Sequence, residues 1–263
     1  MPARAVVTGG AGFIGSHVVD RLLDASMDVV VVDDMSTGRR ENLAPGARLE
    51  EADVRDAAAM RELLAATHPD AVVHLAARAS VTRSVAAPEG DAAVNVGGTL
   101  ALLEAAHRAG VERFVYVSTG GALYGEAERI PTPEDAPIRP LSPYGTSKWA
   151  GEAYCDLYAR LHGMSTLTLR LANVYGPRQD PHGEAGVIAI FCERLRARAR
   201  PVVFGDGRQT RDYVYVGDVA AATLAALDSP ATGPINVGAG AETSVLDLID
   251  ALRALSGDGG FEP

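Results

Sequence analysis

The sequence predicts an α/β protein, a doubly wound parallel β-sheet followed by a small C-terminal lobe. Three observations predict it. Short apolar, β-prone runs alternate with helical patterns from residue 4 to about residue 170, the signature of a parallel sheet covered on both faces. A glycine-rich turn, Gly9-Gly10-Ala11-Gly12-Phe13-Ile14-Gly15, joins the first strand to the first helix. Beyond Arg170 the alternation gives way to a long Gly/Pro/His loop and short strands.

The elements follow in order. Arg4-Ala5-Val6-Val7-Thr8 reads as the first strand, and Phe13, Ile14, Val18, Leu22 and Leu23 supply one buried helical stripe. Gly9, Gly12 and Gly15 permit the tight turn, a close approach of backbone to a pyrophosphate, and close helix–strand packing. The helix N-terminus offers unpaired N–H groups and a positive dipole end to those phosphates. A second strand, Val29-Val30-Val31-Val32, ends in Asp33-Asp34, near the expected spacing of about 20 residues. A carboxylate there hydrogen-bonds ribose hydroxyls and repels a 2′-phosphate, which favours NAD over NADP despite nearby Arg39 and Arg40. The first half is therefore a Rossmann-type dinucleotide fold. Strands are expected at 47–51, 71–75, 113–117 and 166–170, and helices from Asp56 to about Thr67 and over 91–109. Residues 126–143 form a proline-punctuated loop ending at Ser142-Pro143, a suitable start for a helix. After the 173–186 loop come a helix through Ala199, short strands around 202–204 and 211–216, and a last helical pattern over 245–255. The domains are then residues 1–170, with some later segments returning, and a substrate-facing lobe over 171–263.

Composition narrows the function. A chain of 263 residues buries about three-quarters of its unfolded surface, and 47% apolar with 22% charged residues is globular. The formal charge of −10 comes without a basic block, so nucleic-acid binding is not expected. Cys155 and Cys192 fall in helical patterns, with no CxxC, and read as thiols in a reducing compartment. The first strand follows Met1-Pro2-Ala3 directly and no apolar run approaches a membrane span. A cytoplasmic protein is the expectation. No spacing of His, Cys and acids resembles a metal site.

Tyr144 and Lys148, in Tyr144-Gly145-Thr146-Ser147-Lys148, carry the chemistry. Four residues apart on a helix, they share a face. An ammonium beside a phenol is expected to pull the phenol from its usual pKa of about 10 toward neutrality, giving an acid–base group for physiological pH.

Taken together the motifs are similar to those of the extended short-chain dehydrogenases/reductases, in the nucleotide-sugar epimerase and dehydratase group, nearest the UDP-glucose 4-epimerase branch. The residues carrying the resemblance are Thr8 to His17, Asp33, Asp53-Val54, His74-Leu75-Ala76-Ala77, Asn95-Val96-Gly97-Gly98-Thr99, Ser118 to Gly125, Tyr144 to Lys148, Arg170 to Gln179, and Arg211 to Val219. The resemblance implies that Phe13, Ile14, Asp33, Asp34, Ser36, Thr37 and Gly38 serve the adenosine ribose and pyrophosphate of a tightly held NAD. It implies that Asp53 and Val54 read the adenine, that Leu75, Ala76, Ala77, Arg78 and Asn95 serve the nicotinamide side, and that Lys148 bridges to the ribose hydroxyls. Asn173 and Arg211 are implied as ligands of a UDP diphosphate, with Val187 and Phe204 around the uracil. The implied reaction is 4-epimerisation of a UDP-hexose through a 4-keto sugar, and the implied assembly is a homodimer through the helices at 91–109 and 144–161. Trp149 and Tyr154 would lie at that seam, unless Trp149 packs on the sheet.

Two departures qualify the resemblance. Relatives place a Ser or Thr four residues before the equivalent of Tyr124; here that position is Gly120, leaving Thr119, then Ser118, as the third catalytic hydroxyl, unless both only cap the strand end. The glycines at 120 and 121 also stand where a 4,6-dehydratase has its acid–base pair, which disfavours that reaction. A UDP-glucuronate epimerase or decarboxylase stays open, with Arg83 a candidate for the C6 carboxylate. His182, in the 173–186 loop, is a further candidate for substrate contact. Relatives usually continue past Phe261 through a segment bearing another arginine, so the substrate lobe reads as incomplete, and a catalytically silent NAD-binding scaffold or regulator is the reading from another class.

Overall fold

The computed structural model describes residues 2–182, 186–257 and 260–263. The chain opens with β1 (Arg4–Thr8), α1 (Phe13–Asp24), β2 (Asp28–Asp33), β3 (Arg48–Glu51), α2 (Ala57–Thr67) and β4 (Ala71–His74). Next come two short helices, α3 (Val81–Ala86) and α4 (Pro88–Ala92), a π-helical turn at Ala93–Gly98, and α5 (Thr99–Ala109). Then follow β5 (Arg113–Thr119), α6 (Gly120–Leu123), α7 (Pro143–His162) and β6 (Ser165–Leu171). The later part holds β7 (Asn173–Tyr175), α8 (Val187–Arg196), β8 (Thr210–Arg211), β9 (Tyr213–Tyr215), α9 (Val216–Asp228), β10 (Gly233–Val237), β11 (Thr243–Ser244) and α10 (Val245–Ser256).

Seven strands form the main sheet in the order β10-β6-β5-β4-β1-β2-β3, every pair parallel. Strand pleating sends successive side chains to opposite faces, and the core divides accordingly. Ala5, Val7, Val29, Val31, Val73, Val115 and Val117 face one layer, where α1 packs on α9. Val6, Val30, Val72, Phe114 and Tyr116 face the other, where α2, α5 and α7 lie. The strand order reverses between β1 and β4, where a ligand crevice is expected outside the carboxyl ends of the strands. The turn after β1 and the residues after β4 border that crevice.

Local chemistry sets the helix that carries the tyrosine–lysine pair. The Ser142 hydroxyl accepts from the Gly145 N–H at 3.1 Å, Pro143 occupies the first turn, and Gly163 ends the helix at φ 67°. The predicted helix over 91–109 forms, interrupted by the π-helical turn around Asn95, a feature often found beside functional sites.

Two expectations change. Residues 202–204 are not a strand, for Val202 and Phe204 are exposed and the segment has no ladder partner. The seventh strand, β10, was not anticipated. It is an exposed edge strand of sequence Gly-Pro-Ile-Asn-Val, too short and too lightly buried to show a periodic pattern. With α9 it returns to the sheet from the lobe, so residue 170 is where the chain first crosses over. The lobe has its own small core of Phe191, Val245, Ile249 and Phe261. Among the described residues no helix is long and apolar enough to cross a membrane. Gly183 and Glu184, in the loop carrying His182, and Asp258 and Gly259, after the last helix, lie outside the described residues.

Candidate active site

A cleft of about 1070 Å³ runs along the carboxyl ends of the strands and under the lobe, just above the usual range for small-molecule sites of about 300–1,000 Å³. At one end lies the glycine turn. A Cβ on Gly15 would stand 2.0 Å from the Gly9 carbonyl oxygen, and one on Gly9, where φ is +71°, would stand 2.7 Å from the Ala76 nitrogen. Neither position accepts a side chain, so bare backbone borders the cleft. Gly12, Phe13 and Ile14 complete that wall.

Asp33 ends β2 at the cleft edge. Its carboxylate accepts from the N–H groups of Ala11 at 3.0 Å and Met35 at 3.0 Å. Burial nevertheless raises its pKa, partly offset by those two bonds. Both oxygens keep a lone pair for ribose hydroxyls. Gly38 is not part of the wall. A Cβ there would come within 2.6 Å of Asp33 Oδ1, so this glycine makes room for the aspartate. Asp34, Ser36 and Thr37 line the cleft, and Arg39 and Arg40 are engaged by Asp180 at 3.2 Å and Glu51 at 2.6 Å. Asp53 is gripped by Arg55, whose guanidinium holds the carboxyl below its usual range and keeps it an acceptor. Val54 is buried against Gly98, where a Cβ would clash at 2.7 Å.

Leu75, Ala76, Ala77 and Arg78 follow β4 along the same wall. Asn95 stands behind them, outside the cleft lining. Its amide oxygen accepts from the Arg78 N–H at 2.8 Å, and its Nδ2 donates to the Arg78 carbonyl at 3.0 Å, to Asp91 at 3.1 Å and to Ser147 Oγ at 3.1 Å. It ties the strand end to the tyrosine–lysine helix. His74 is a core residue, held neutral with its pKa lowered to about 3 by burial, the Lys148 charge adding to the effect.

Tyr144 and Lys148 meet the cleft side by side with Ser118 and Thr119 from the end of β5. The expectation of a lowered phenol pKa fails in the protein itself. Burial pushes Tyr144 up to about 12, with the Thr119 hydrogen bond opposing it, and pulls Lys148 down to about 8 against the favourable charges of Glu152, Cys155 and Asp91. For Tyr144, desolvation outweighs the contribution of Thr119. The two candidate hydroxyls separate clearly. Ser118 is 4% exposed and its Oγ is sealed with no hydrogen-bond partner, whereas the Thr119 hydroxyl faces the Tyr144 phenol and lowers its pKa. Gly120 is not a packing requirement, since a Cβ there meets nothing closer than the Leu171 carbonyl at 3.4 Å. We expect Thr119→Val to lower kcat by about 10- to 100-fold with little change in nucleotide-sugar affinity, and Ser118→Ala to leave kcat within about twofold, magnitudes typical of a lost reaction-centre hydrogen bond. Steady-state kinetics alongside binding isotherms checks both.

Asn173, Val187, Phe204 and Arg211 also line the cleft. Phe204 is 82% exposed, a flat apolar face with little else covering it. Arg83 does not join them. It borders a separate side cavity of about 190 Å³ with Arg78, Ser84 and Asp91. His182 also lies off the cleft lining, pairing with Glu193 at 3.2 Å. Trp149 is 46% exposed on α7 and is not packed into the sheet.

Sequence reasoning missed a strap across the cleft. Arg178 pairs with Asp20 at 2.8 Å, His17 Nε2 meets the Pro177 carbonyl at 2.9 Å, and Asp180 holds Arg39. The run Pro177-Arg178-Gln179 stood in the sequence, but its partners are some 140 to 160 residues away, and nothing local reveals them.

A phenol, a hydroxyl and a lysine at the end of a dinucleotide cleft suit hydride chemistry at a carbinol carbon, the arrangement of a short-chain dehydrogenase/reductase. The model of the NAD dependent epimerase/dehydratase family matches residues 5–238. The UDP-glucose 4-epimerase of Mycolicibacterium smegmatis is 49% identical over 261 residues, 97% of this chain and 83% of that one. Among solved structures, the Thermotoga maritima UDP-glucose 4-epimerase with UDP-glucose superposes with a TM-score of 0.96 at 46% identity, covering 98% of this chain and 84% of that one. The Thermus thermophilus UDP-glucose 4-epimerase in complex with NAD gives 0.90 at 46%, covering 97% and 83%. The chain belongs to the NAD-dependent epimerase/dehydratase family, and NAD is its cofactor.

Proposed function

We propose that this protein interconverts UDP-glucose and UDP-galactose by NAD-dependent 4-epimerisation. The observation that carries the reading is that Tyr144, Lys148 and Thr119 line one cleft together with Asn173 and Arg211. The residues fit the dinucleotide, for the glycine turn leaves bare backbone and Asp33 keeps free lone pairs. NAD, when bound, supplies the hydride acceptor and donor and a positive charge in its oxidised form.

The chain's own residues do the rest. Tyr144 takes the proton from the sugar 4-hydroxyl and returns it after the keto sugar has turned over. Thr119 holds the 4-oxygen in line with the phenol. Lys148 favours the phenolate and orients the ribose hydroxyls. Asn173 and the Arg211 fork take the diphosphate, while Val187 and Phe204 enclose the uracil. Anchoring through the nucleotide leaves the sugar free to present either face. Gly120 and Gly121 supply no acid–base pair for dehydration, and Arg83 in its side cavity is not placed to meet a C6 carboxylate, so a neutral hexose is the better substrate. Exposed Trp149 on α7 supports a homodimer through α5 and α7.

Parallel incubation with UDP-galactose and UDP-glucuronate tests the substrate. Formation of UDP-glucose from the first and no change in the second is expected. Conversion of UDP-glucuronate alone would transfer the assignment to the hexuronate, and NAD binding without conversion of either would favour the silent scaffold.

A further inference from the structure

Lys148 is 3% exposed, and among the described residues no carboxylate pairs with its ammonium. Glu152, one turn further along α7, is committed to Arg170, whose Nε and Nη2 reach both carboxylate oxygens at 2.8–3.2 Å. What the ammonium does meet is a ring. Its Nζ stands 4.3 Å from the centroid of Tyr116, on the adjoining strand β5, and Tyr116 is fully buried. The same tyrosine donates its hydroxyl to the Lys148 carbonyl at 3.4 Å. The chain gives this ring its place, since a Cβ on Gly151 would stand 2.3 Å from the Tyr116 hydroxyl. His74, the register partner of Tyr116 on β4, flanks the ring on the same face of the sheet, centroids 5.7 Å apart.

We propose that Tyr116 is a positioning residue for the reaction, its ring face acting as the cation–π seat that holds the Lys148 ammonium at the cleft wall. The proposal rests on the role given to Lys148 above. A desolvated cation over an aromatic face is attracted by the ring quadrupole, and here that attraction opposes burial, which pulls the lysine down to about 8. The charged and titratable groups acting on Lys148 are Glu152 and Cys155 from α7 and Asp91 from α4, with His74 on β4 held neutral and Tyr116 on β5 kept protonated by its own burial. The reactive form of the site carries the Lys148 ammonium and the Tyr144 phenolate, one proton fewer than the fully protonated pair. Without the ring, the lysine, already the first of the two to lose its proton, gives it up at still lower pH. The titration then moves to lower pH, and the fraction carrying both ammonium and phenolate falls.

The test compares Tyr116→Phe, Tyr116→Leu and a variant with 3,4,5-trifluorophenylalanine at position 116, which keeps the ring's shape while removing its negative face. On NAD-loaded protein with UDP-galactose, the Leu and trifluoro variants are expected to lose about tenfold or more in the kcat plateau and to titrate at lower pH, while Phe stays within about twofold. In substrate-free protein, the dissociation constant for NAD is expected to rise in the Leu and trifluoro variants and hold in Phe. The trifluoro variant covers the case in which Leu does not fold. A trifluoro variant matching the wild type in plateau, titration and NAD affinity overturns the proposal, as does a Phe variant as impaired as Leu. Wild-type protein inert toward UDP-galactose counts against the substrate assignment instead, and the NAD arm still decides the role of Tyr116.

Discussion

Tyr144→Phe is expected to lower epimerase turnover by about 10²- to 10⁴-fold, the range for loss of a general acid–base group, while NAD and UDP-sugar binding persist. The phenol oxygen is what the reaction needs. The ring contributes to the wall, and Phe retains it. Burial holds the free phenol up to about 12, so the protein alone stores Tyr144 protonated. The base form depends on positive charge gathered at the site, from Lys148 and from oxidised NAD. The observable is a split result: kcat collapses while the dissociation constants for NAD and UDP stay within a few-fold. A variant that retained substantial turnover would assign the proton transfer to another group, with Thr119 the next to examine.

The largest effect on stability is expected at Arg170. This side chain sits at the end of β6, 6% exposed, and bonds Glu152, itself 8% exposed, through two of its nitrogens. It also donates to the Tyr124 hydroxyl at 2.8 Å and to the Glu134 carbonyl at 3.0 Å. Arg170→Met removes the cation and leaves Glu152 buried and uncompensated, a change that typically costs about 3–5 kcal/mol. In a chain of this size that lowers Tm by on the order of 10 °C. Since the pair can be replaced as a unit more cheaply than it can be halved, Arg170→Met combined with Glu152→Leu should recover part of the loss. Thermal denaturation of the two single variants and the double variant measures this. Glu152 is also the strongest charge supporting Lys148, so the pair joins the stability of the sheet to the charge of the site.

Much of the site was legible in the sequence because its signals are local. Gly12 and Gly15 are dictated by backbone approaches within the turn, Gly9 by its positive φ together with the backbone of Ala76, and Asp33 by the end of the next strand. The Ser142-Pro143 cap and the four-residue spacing of Tyr144 and Lys148 follow from helix geometry alone. What could not be read depends on partners far along the chain. The edge strand β10 has no buried stripe of its own and exists through its pairing with β6. Asn95 looked like part of a cofactor motif, yet its bonds join Arg78 to Ser147 across the fold. The pKa of Tyr144 went the other way from expectation because burial is a property of the folded cleft, and spacing on a helix carries no measure of it. Arg83 is close in sequence to the cofactor wall, but α3 turns it toward a different cavity.

The central claim is that hydride leaves and returns to the same sugar carbon while Tyr144 handles the proton. UDP-galactose carrying deuterium at C4, incubated with purified NAD-loaded protein in ordinary water, tests it directly. The expected product is UDP-glucose with the deuterium still at C4, formed without net reduction of NAD. Loss of the label to solvent, or UDP-glucose formed equally well by the Tyr144→Phe variant, would contradict the account.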